Sequence, residues 1–231
     1  MNMTYENCRL CPRECGVNRT AGELGFCGCP DTALVAKTML HKWEEPVLAG
    51  SGGSGAIFFG GCTLRCRYCQ NAAISGGAVG KPTDSTQLRQ MLEALIDQGA
   101  ENIDLVTPTH FLPTILPALT PKLPVPVVYN CGGYEKPETI RALKGLVDIY
   151  LPDLKYTDSK LALRLSAAPY YFPTAAAAIR EMVAQGKLSV RDSRTGSIVD
   201  LKRLSKGNYR VTGKDEGSTY IIYEINGTHA S

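Results

Sequence analysis

Short apolar runs alternate with segments of helical periodicity from residue 56 to residue 186. Strands are predicted at AIFF (56–59), NIDLVTP (102–108), VPVVYN (125–130) and VDIYLPDLKY (147–156). Helices are predicted at 84–98, with Asp84 or Ser85 as the cap, at 111–120, at 136–146 and across 159–186. This rhythm is typical of an α/β fold with a parallel sheet and right-handed crossovers.

Polar segments rich in glycine or proline follow each predicted strand. They are the cysteine-containing segment after AIFF and residues 107–110, 130–135 and 153–155. Because the carboxyl ends of parallel strands lie at the same edge of a sheet, we expect the four segments to converge on one face.

The cysteines are concentrated near the start of the chain. Eight of the nine lie in the first 69 residues. An odd number of cysteines behind a start without an apolar leader argues against a disulfide framework, and such clustering is typical of metal binding. No run reaches the roughly 18 apolar residues that would suggest a membrane span. We therefore expect a soluble, cytoplasmic protein that binds metal.

The segment Cys62-Thr-Leu-Arg-Cys66-Arg-Tyr-Cys69 offers three thiolates within eight residues, which can hold one iron–sulfur cluster. Three ligands to a four-iron cluster leave one iron open for a substrate or cofactor, by the logic of catalytic metal sites. The alternative is that this spacing marks one face of a core helix. That alternative fits poorly, because two glycines precede the run and charged residues interrupt it.

A CxxxCxxC motif directly after the first strand of an α/β chain, with Tyr68 before the last cysteine, resembles the radical S-adenosylmethionine superfamily. The stretch from Cys8 to about Met182 resembles its branch related to pyruvate formate-lyase-activating enzyme. The similar segments are CRLCPRECGVNR (8–19), LHKWEEP (40–46), IFFGGCTLRCRYCQN (57–71), VTPTH (106–110), YNCGGYE (129–135) and YLPDLKY (150–156).

This resemblance implies a partial (β/α) barrel and a 4Fe–4S cluster on Cys62, Cys66 and Cys69. It implies an oxidoreductase that cleaves S-adenosylmethionine reductively to a 5′-deoxyadenosyl radical, the protein supplying position and electrostatics. The implied partners are a protein substrate of the glycyl-radical-enzyme type and an electron donor such as flavodoxin or ferredoxin. Neither a nucleic acid nor a membrane is expected as a partner.

The resemblance also implies which residues contact the cofactor. The implied contacts are Tyr68 beside the adenine, Thr107, Thr109 and His110 from the second strand end, Gly132, Gly133 and Glu135 from the third, and Asp153 and Lys155 from the fourth. Each has a plainer interpretation. The two glycines can form a tight turn, the last two residues an ordinary ion pair, and the histidine a satisfied loop residue. Cys131 is either a hydrogen-atom donor or a small buried residue.

A second group of cysteines occupies the amino-terminal segment. Cys8, Cys11, Cys15 and Cys27 have the spacing C-x2-C-x3-C-x11-C, and Cys29 is left over. Four thiolates in a short, turn-rich segment suit a second iron–sulfur cluster or a zinc ion, and ligand type alone does not separate the two. Residues 1–186 carry 17 basic and 17 acidic residues, which lacks the charge excess of a nucleic-acid-binding ribbon.

The chain departs from the family after about residue 186. Residues 187–231 predict two β-hairpins, with turns near 194–196 and 214–217, in place of further strand–helix units. We therefore divide the chain into a cysteine-rich metal-binding segment (1–49), a partial barrel (50–186) and a β-rich tail (187–231). The tail is a replacement module, unrelated sequence or the product of a truncated gene. The rival interpretation is a non-catalytic iron–sulfur or zinc protein that acts only as a binding module.

Overall fold

A computed structural model describes residues 3–42, 48, 50–185, 189–191 and 198–200. The strands of its main sheet are β1 (Ala33–His41), β2 (Ser54–Phe59), β3 (Lys81–Thr83), β4 (Asn102–Val106), β5 (Val127–Cys131) and β6 (Ile149–Pro152). The α-helices are α1 (Ala72–Ser75), α2 (Ser85–Asp97), α3 (Leu112–Ala118), α4 (Pro137–Arg141), α5 (Ser159–Ser166) and α6 (Tyr171–Gln185). Short 3-10 helices span Arg19–Ala21 and Thr109–Phe111.

The strands β2, β4, β5 and β6 are parallel neighbours in that order, which confirms the predicted α/β architecture. Leu105 pairs with Tyr129, and Tyr129 pairs with Tyr150. Within the described residues the sheet ends at β6, so a complete barrel is not formed there. The carboxyl ends of the four parallel strands lie at the same edge, where the four polar segments follow them.

An antiparallel edge was not predicted. Strand β1 pairs antiparallel with β2 from Val35 opposite Phe59 to His41 opposite Ser54, and β3 pairs antiparallel with β1. Residues 33–41 were not predicted as a strand, because their apolar residues follow no clear period. In the structure Ala33, Leu34 and Val35 are buried, and the rest of the strand is half-buried or exposed. The sheet is therefore mixed, and its first strand belongs to the amino-terminal segment.

The glycine-rich run 50–55 has the composition of a flexible connection or surface loop, but its end is part of the sheet. Ser54 and Gly55 are buried residues of β2. A Cβ atom on Gly55 would lie 2.9 Å from Ile103 Cδ1 and 3.0 Å from Ala100 Cβ. Glycine is required there for close packing rather than for flexibility. Residues 43–46 of the family-like segment LHKWEEP (40–46) lie outside the described residues.

Helix α2 is formed as predicted. The Asp84 carboxylate accepts a hydrogen bond from Gln87 N at 2.8 Å, and the Gln87 side chain accepts one from Asp84 N at 3.1 Å. This reciprocal capping box satisfies two backbone donors at the helix start. The buried face carries Leu88, Leu92 and Leu95, the positions expected from their spacing.

Two apolar clusters hold the fold together. The larger lies around the parallel strands, whose side chains are buried on both faces, as is usual for parallel sheets. The smaller packs against Cys62 and Cys66 and consists of Leu64, Tyr134, Tyr156, Ala162, Ala168, Tyr171 and Ala175. The cysteine segment is therefore anchored by apolar contacts with residues far along the chain.

The tail is described only in part. Strands β7 (Ser189–Arg191) and β8 (Ile198–Asp200) pair antiparallel, which confirms the first predicted hairpin. The turn near 194–196 and the second hairpin lie outside the described residues. In the described parts of the chain, no helix has the length and apolar character needed to cross a membrane.

Candidate metal centre

The residues from Cys62 to Cys69, here called the cysteine loop, follow β2 through a Gly60–Gly61 turn. Gly61 has φ +74°, and a Cβ atom there would overlap Cys29 Sγ, so both backbone conformation and space require glycine. The loop consists of turns and bends and contains no helix. The alternative that its three cysteines mark one face of a core helix is therefore wrong.

Each of the three loop sulfurs accepts a hydrogen bond. Cys62 Sγ accepts from Leu64 N at 3.4 Å, Cys66 Sγ from Ser166 Oγ at 2.9 Å, and Cys69 Sγ from Ser75 Oγ at 3.3 Å. All three cysteines are free and half-buried. Burial raises the pKa of Cys62 to about 11. A bound metal would deprotonate such a thiol, and donors directed at sulfur stabilise the resulting negative charge.

Residues 165–167, here called the loop clamp, hold the cysteine loop from behind. Arg65 N donates to Ser166 O at 3.0 Å, and Arg67 N donates to Leu165 O at 2.9 Å. Arg13, from the amino-terminal segment, donates to Thr63 O at 2.9 Å and to Ala167 O at 2.5 Å. The loop backbone is thus fixed between the end of α5 and an arginine that lies about fifty residues earlier in the chain.

The second and third strand ends meet, as expected. Thr109 Oγ1 donates to Glu135 Oε1 at 2.7 Å and accepts from Tyr129 OH at 3.0 Å. Thr107 N donates to Asn130 O at 2.8 Å. Burial raises the pKa of Glu135 to about 8, so its carboxyl group is largely protonated at neutral pH. Its Oε2 atom has no hydrogen-bond partner among the described residues.

His110 is buried and its ring is occupied by a structural contact. Its Nε2 lies 2.7 Å from Gly60 O, which requires the proton on Nε2, because a carbonyl oxygen only accepts. Burial lowers the pKa of His110 to about 4, so the imidazole is neutral at pH 7. Only one ring nitrogen is satisfied, because Nδ1 is buried and has no hydrogen-bond partner among the described residues. A contact with a cofactor stays a prediction.

The remaining predicted contacts have close packing partners. A Cβ atom on Gly132 would lie 2.8 Å from Leu64 Cδ1 in the cysteine loop, and Gly133, at φ +73°, faces Asp153 O. Lys155 Nζ and Asp153 Oδ2 form an ion pair at 2.5 Å. These contacts place the third and fourth strand ends against the cysteine loop. They fit the plainer interpretation of a tight turn and an ordinary ion pair, and cofactor binding by these four residues stays a prediction.

Tyr68 is 53% exposed, and its hydroxyl group lies 2.5 Å from Tyr156 OH. Cys131 is buried in the large apolar cluster, where burial raises its pKa well above the usual value. This position agrees with the interpretation of Cys131 as a small buried residue.

The amino-terminal cysteines differ in exposure. Cys8, Cys11 and Cys27 are buried, whereas Cys15 is exposed. Two hydrogen bonds, from Cys8 N to Val17 O at 2.9 Å and from Gly16 N to Cys8 O at 3.0 Å, close a loop that contains Cys8, Cys11 and Cys15. Cys29, the residue left over from the predicted ligand set, is buried beside Cys27. Its hydrogen bond lowers the pKa of Cys27 to about 6.

A single metal ion is not accommodated by the side chains as they lie. Across the described ranges, no group of three or more His, Cys, Asp or Glu side chains is arranged to hold one ion. Zinc needs its ligands within about 2.3 Å. A four-iron cluster takes its thiolates on separate irons, which allows wider spacing. The choice between zinc and iron–sulfur at the amino-terminal cysteines stays open.

The sequence prediction missed three residues that shape the centre: Ser75, Ser166 and Arg13. Ser166 lies 100 positions from the sulfur to which it donates. No local spacing signals such a pair. A weak signal existed for Arg13, because an arginine among metal-binding cysteines is placed to stabilise thiolate charge.

One protein-family model and one curated sequence that match this chain bear on the site. The sequence profile of the 4Fe-4S single cluster domain matches residues 48–111, which include the whole cysteine loop. An uncharacterized protein of Methanocaldococcus jannaschii is 34% identical over 178 residues, which cover 73% of this chain and 51% of that protein. The chain therefore spans about half the length of this curated relative. A 4Fe–4S cluster domain is present, and it is compatible with a radical SAM or another iron–sulfur protein.

Proposed function

We propose that this chain is a radical S-adenosylmethionine enzyme of the type that activates glycyl-radical enzymes. The observation that carries the proposal is the position of the CxxxCxxC loop. It follows the first parallel strand and lies within the residues that match a 4Fe-4S single cluster domain. Gly132 and Tyr156, which follow the third and fourth parallel strands, contact the loop at Leu64 and Tyr68. His110, which follows the second, contacts the turn just before the loop. A cofactor site of this kind requires such convergence at one edge of the sheet.

The donor set supports a cluster on Cys62, Cys66 and Cys69. Each sulfur accepts one hydrogen bond from an N–H or O–H group. Donors of this kind are typical of the surroundings of cluster thiolates, whose charge they stabilise. Three protein sulfurs leave one iron of a cubane for an outside ligand, and bound S-adenosylmethionine would there supply a 5′-deoxyadenosyl radical.

Two features of the chain would orient that ligand. The protonated Glu135 carboxyl group, with no partner at Oε2 among the described residues, offers a buried polar contact beside the loop. Gly132 keeps the third strand end close to Leu64, so the backbone there approaches the loop without a side chain between them. Both supports come from the strand ends that the resemblance implicates.

Two partners follow from this proposal. A low-potential electron donor such as flavodoxin or ferredoxin is needed, because the cluster must be reduced for each cleavage. The substrate is a protein of the glycyl-radical-enzyme type. Both partners rest on the resemblance alone.

The test is S-adenosylmethionine cleavage by anaerobically reconstituted full chain. With dithionite as reductant, we expect 5′-deoxyadenosine, measured by liquid chromatography and mass spectrometry. Cys66→Ala should remove one cluster ligand and lower product by at least about 100-fold, since changing only a group that supports a metal ligand already costs about 10–100-fold.

The matched control is Cys131→Ala, which removes a buried thiol outside both predicted ligand sets and should retain cleavage. Product formation by Cys66→Ala would contradict the proposal. A stable cluster without any 5′-deoxyadenosine in the unaltered chain would favour the rival, a non-catalytic iron–sulfur binding module.

A further inference from the structure

Three hydroxyl groups connect the surface to the sulfur of Cys66. Tyr68 OH lies 2.5 Å from Tyr156 OH, which lies 2.6 Å from Ser166 Oγ. Ser166 Oγ in turn lies 2.9 Å from Cys66 Sγ. We call Tyr68, Tyr156 and Ser166 the hydroxyl chain. Each contact is within hydrogen-bond distance, and the outermost, between Tyr68 and Tyr156, is shorter than a normal hydrogen bond.

Counting protons fixes the direction of the hydroxyl chain. A serine hydroxyl has one proton, and Ser166 donates it to Cys66 Sγ. The bond between Tyr156 and Ser166 must then be donated by Tyr156, whose only proton is thereby used. Tyr68 donates to Tyr156 for the same reason. Every donor therefore points toward the sulfur.

The inner two members are held rigidly. Ser166 is fully buried, and its carbonyl oxygen accepts from Arg65 N in the cysteine loop. Tyr156 is buried, with its ring edge-on to Tyr171 at a centroid distance of 5.4 Å. Because the loop clamp fixes the backbone on both sides, the hydroxyl of Ser166 has little freedom to turn away from the sulfur. The outer member, Tyr68, is exposed to solvent.

We propose that the hydroxyl chain sets the reduction potential of the cluster on the cysteine loop, with Ser166, Tyr156 and Tyr68 as positioning residues. This inference rests on the proposed function only for the presence of that cluster. Reduction adds negative charge that is shared by the cluster and its thiolates. A donor at Cys66 Sγ stabilises the more negative state and so raises the potential.

The arrangement predicts a graded effect. Hydrogen bonds in series polarise one another, so Tyr156 and Tyr68 strengthen the bond that Ser166 makes to sulfur. The contribution falls with distance along the chain. Ser166→Ala should lower the midpoint potential most, Tyr156→Phe less and Tyr68→Phe least. A purely structural role would not produce this order, because Tyr156 packs more apolar surface than Ser166.

The experiment is an anaerobic redox titration of the reconstituted full chain, followed by electron paramagnetic resonance. Ser166→Ala, Tyr156→Phe and Tyr68→Phe should shift the midpoint to more negative values in that order. Ser166→Thr, which keeps a hydroxyl group, should have a midpoint potential close to that of the unaltered chain. Deuterium exchange with electron–nuclear double resonance should show an exchangeable proton at Cys66 that is lost in Ser166→Ala, whereas the protons donated by Leu64 N and Ser75 Oγ remain.

The control is Tyr134→Phe, since Tyr134 belongs to the same aromatic cluster but donates to Pro169 O. It should leave the midpoint unchanged. An equal shift in Tyr134→Phe, or none in both Ser166→Ala and Tyr156→Phe, would overturn the inference while leaving the cluster in place. If Ser166→Ala does not hold a cluster, the Tyr156→Phe titration decides. If the unaltered chain holds no cluster on the cysteine loop, the proposed function is contradicted as well.

Discussion

The two groups of cysteines lie in contrasting surroundings. The loop sulfurs are half-buried and accept hydrogen bonds from hydroxyl and backbone donors. Two of the three donors lie beyond the loop itself. Three of the four predicted amino-terminal ligands are buried, and their segment is held in place by arginines. The loop thiols therefore have the partial exposure that an open metal position would need. Most of the amino-terminal thiols have the enclosure that a structural metal site would need.

Arginine makes the difference in the amino-terminal segment. Arg19 is fully buried and donates to His110 O at 2.6 Å and to Pro30 O at 2.9 Å, and more weakly to Cys8 Sγ at 3.8 Å. Its guanidinium group lies 4.4 Å from the centre of the Tyr5 ring. A buried cation of this kind stabilises thiolates nearby. The two regions therefore differ in their donors. Backbone and serine groups donate to the loop sulfurs, whereas a buried arginine lies beside the amino-terminal cysteines.

The largest expected effect separates the two groups by metal content. Changing Cys8, Cys11, Cys15 and Cys27 together to Ala should remove one metal site and leave the electron paramagnetic signal of the loop cluster intact. Changing Cys62, Cys66 and Cys69 together to Ala should remove about four irons, as a single cubane implies. Elemental analysis of each variant, prepared anaerobically, measures both.

The loop triple variant also decides the identity of the second site. Iron and acid-labile sulfide retained in it would assign a second cluster, and retained zinc would assign a structural zinc site. Without any retained metal, the amino-terminal residues are ordinary thiols, and the contrast between an open and an enclosed metal site does not hold. The Cys131→Ala variant serves as the control, because Cys131 is buried in the large apolar cluster and lies outside both predicted ligand sets.

Helix α2 and the convergence of the strand ends were predictable from the sequence for physical reasons. The spacing of Leu88, Leu92 and Leu95 marks a helix face, and parallel strands bring their carboxyl ends together by topology. Both signals are local or follow from the order of elements. Strand β1 was missed because its outer half, around Lys37 and Thr38, is exposed and lacks an apolar alternation.

The contacts that shape the cysteine loop could not have been predicted in the same way. Arg13 reaches Thr63 across 50 positions and Ala167 across 154 positions. Such pairs depend on how the elements pack, and a serine or arginine in isolation is more often a solvated surface residue. Sequence spacing identified candidate ligands, whereas the structure identified the donors that act on them.

A smaller effect concerns acid stability at the junction of the two regions. His110 receives Arg19 at its carbonyl oxygen and contacts Gly60 O, just before the cysteine loop. Its pKa is lowered from 6.5 to about 4, mainly by burial, so the unfolded chain binds a proton there that the folded chain does not. Stability is therefore lost as the pH falls from about 6.5 to about 4, by about 3 kcal/mol from this group.

Urea unfolding between pH 4 and pH 7 measures this loss. His110→Gln keeps an amide donor for Gly60 O but has no titratable ring. The difference between the unaltered chain and His110→Gln should therefore change by about 3 kcal/mol over that range. A parallel course of the His110→Gln and unaltered curves would show that the junction does not respond to acid through this residue.

The smallest effect concerns Arg13, which belongs to the amino-terminal segment by sequence and contacts the cysteine loop and its clamp. Its guanidinium group lies 3.6 Å from the centre of the Phe26 ring while donating to Thr63 O and Ala167 O. Arg13→Met should destabilise the fold by about 1.5 kcal/mol, since it removes two part-buried hydrogen bonds to carbonyl oxygens and the contact with the Phe26 ring. Exposed Arg9→Met is the control in the same segment.

Arg13 also tests whether the two cysteine regions are energetically joined. In a double-mutant cycle, Arg13→Met and Phe26→Leu should be less destructive together than the sum of the two single changes, by about 0.5–1 kcal/mol. Arg13→Lys should recover only part of the stability, because lysine keeps the charge but lacks the planar fork that spans two carbonyl oxygens. Urea unfolding of the four proteins gives the coupling. Additive changes in the free energy of unfolding would mean that Arg13 stabilises the loop clamp independently of Phe26. Phe26 would then not couple the amino-terminal segment to the cysteine loop.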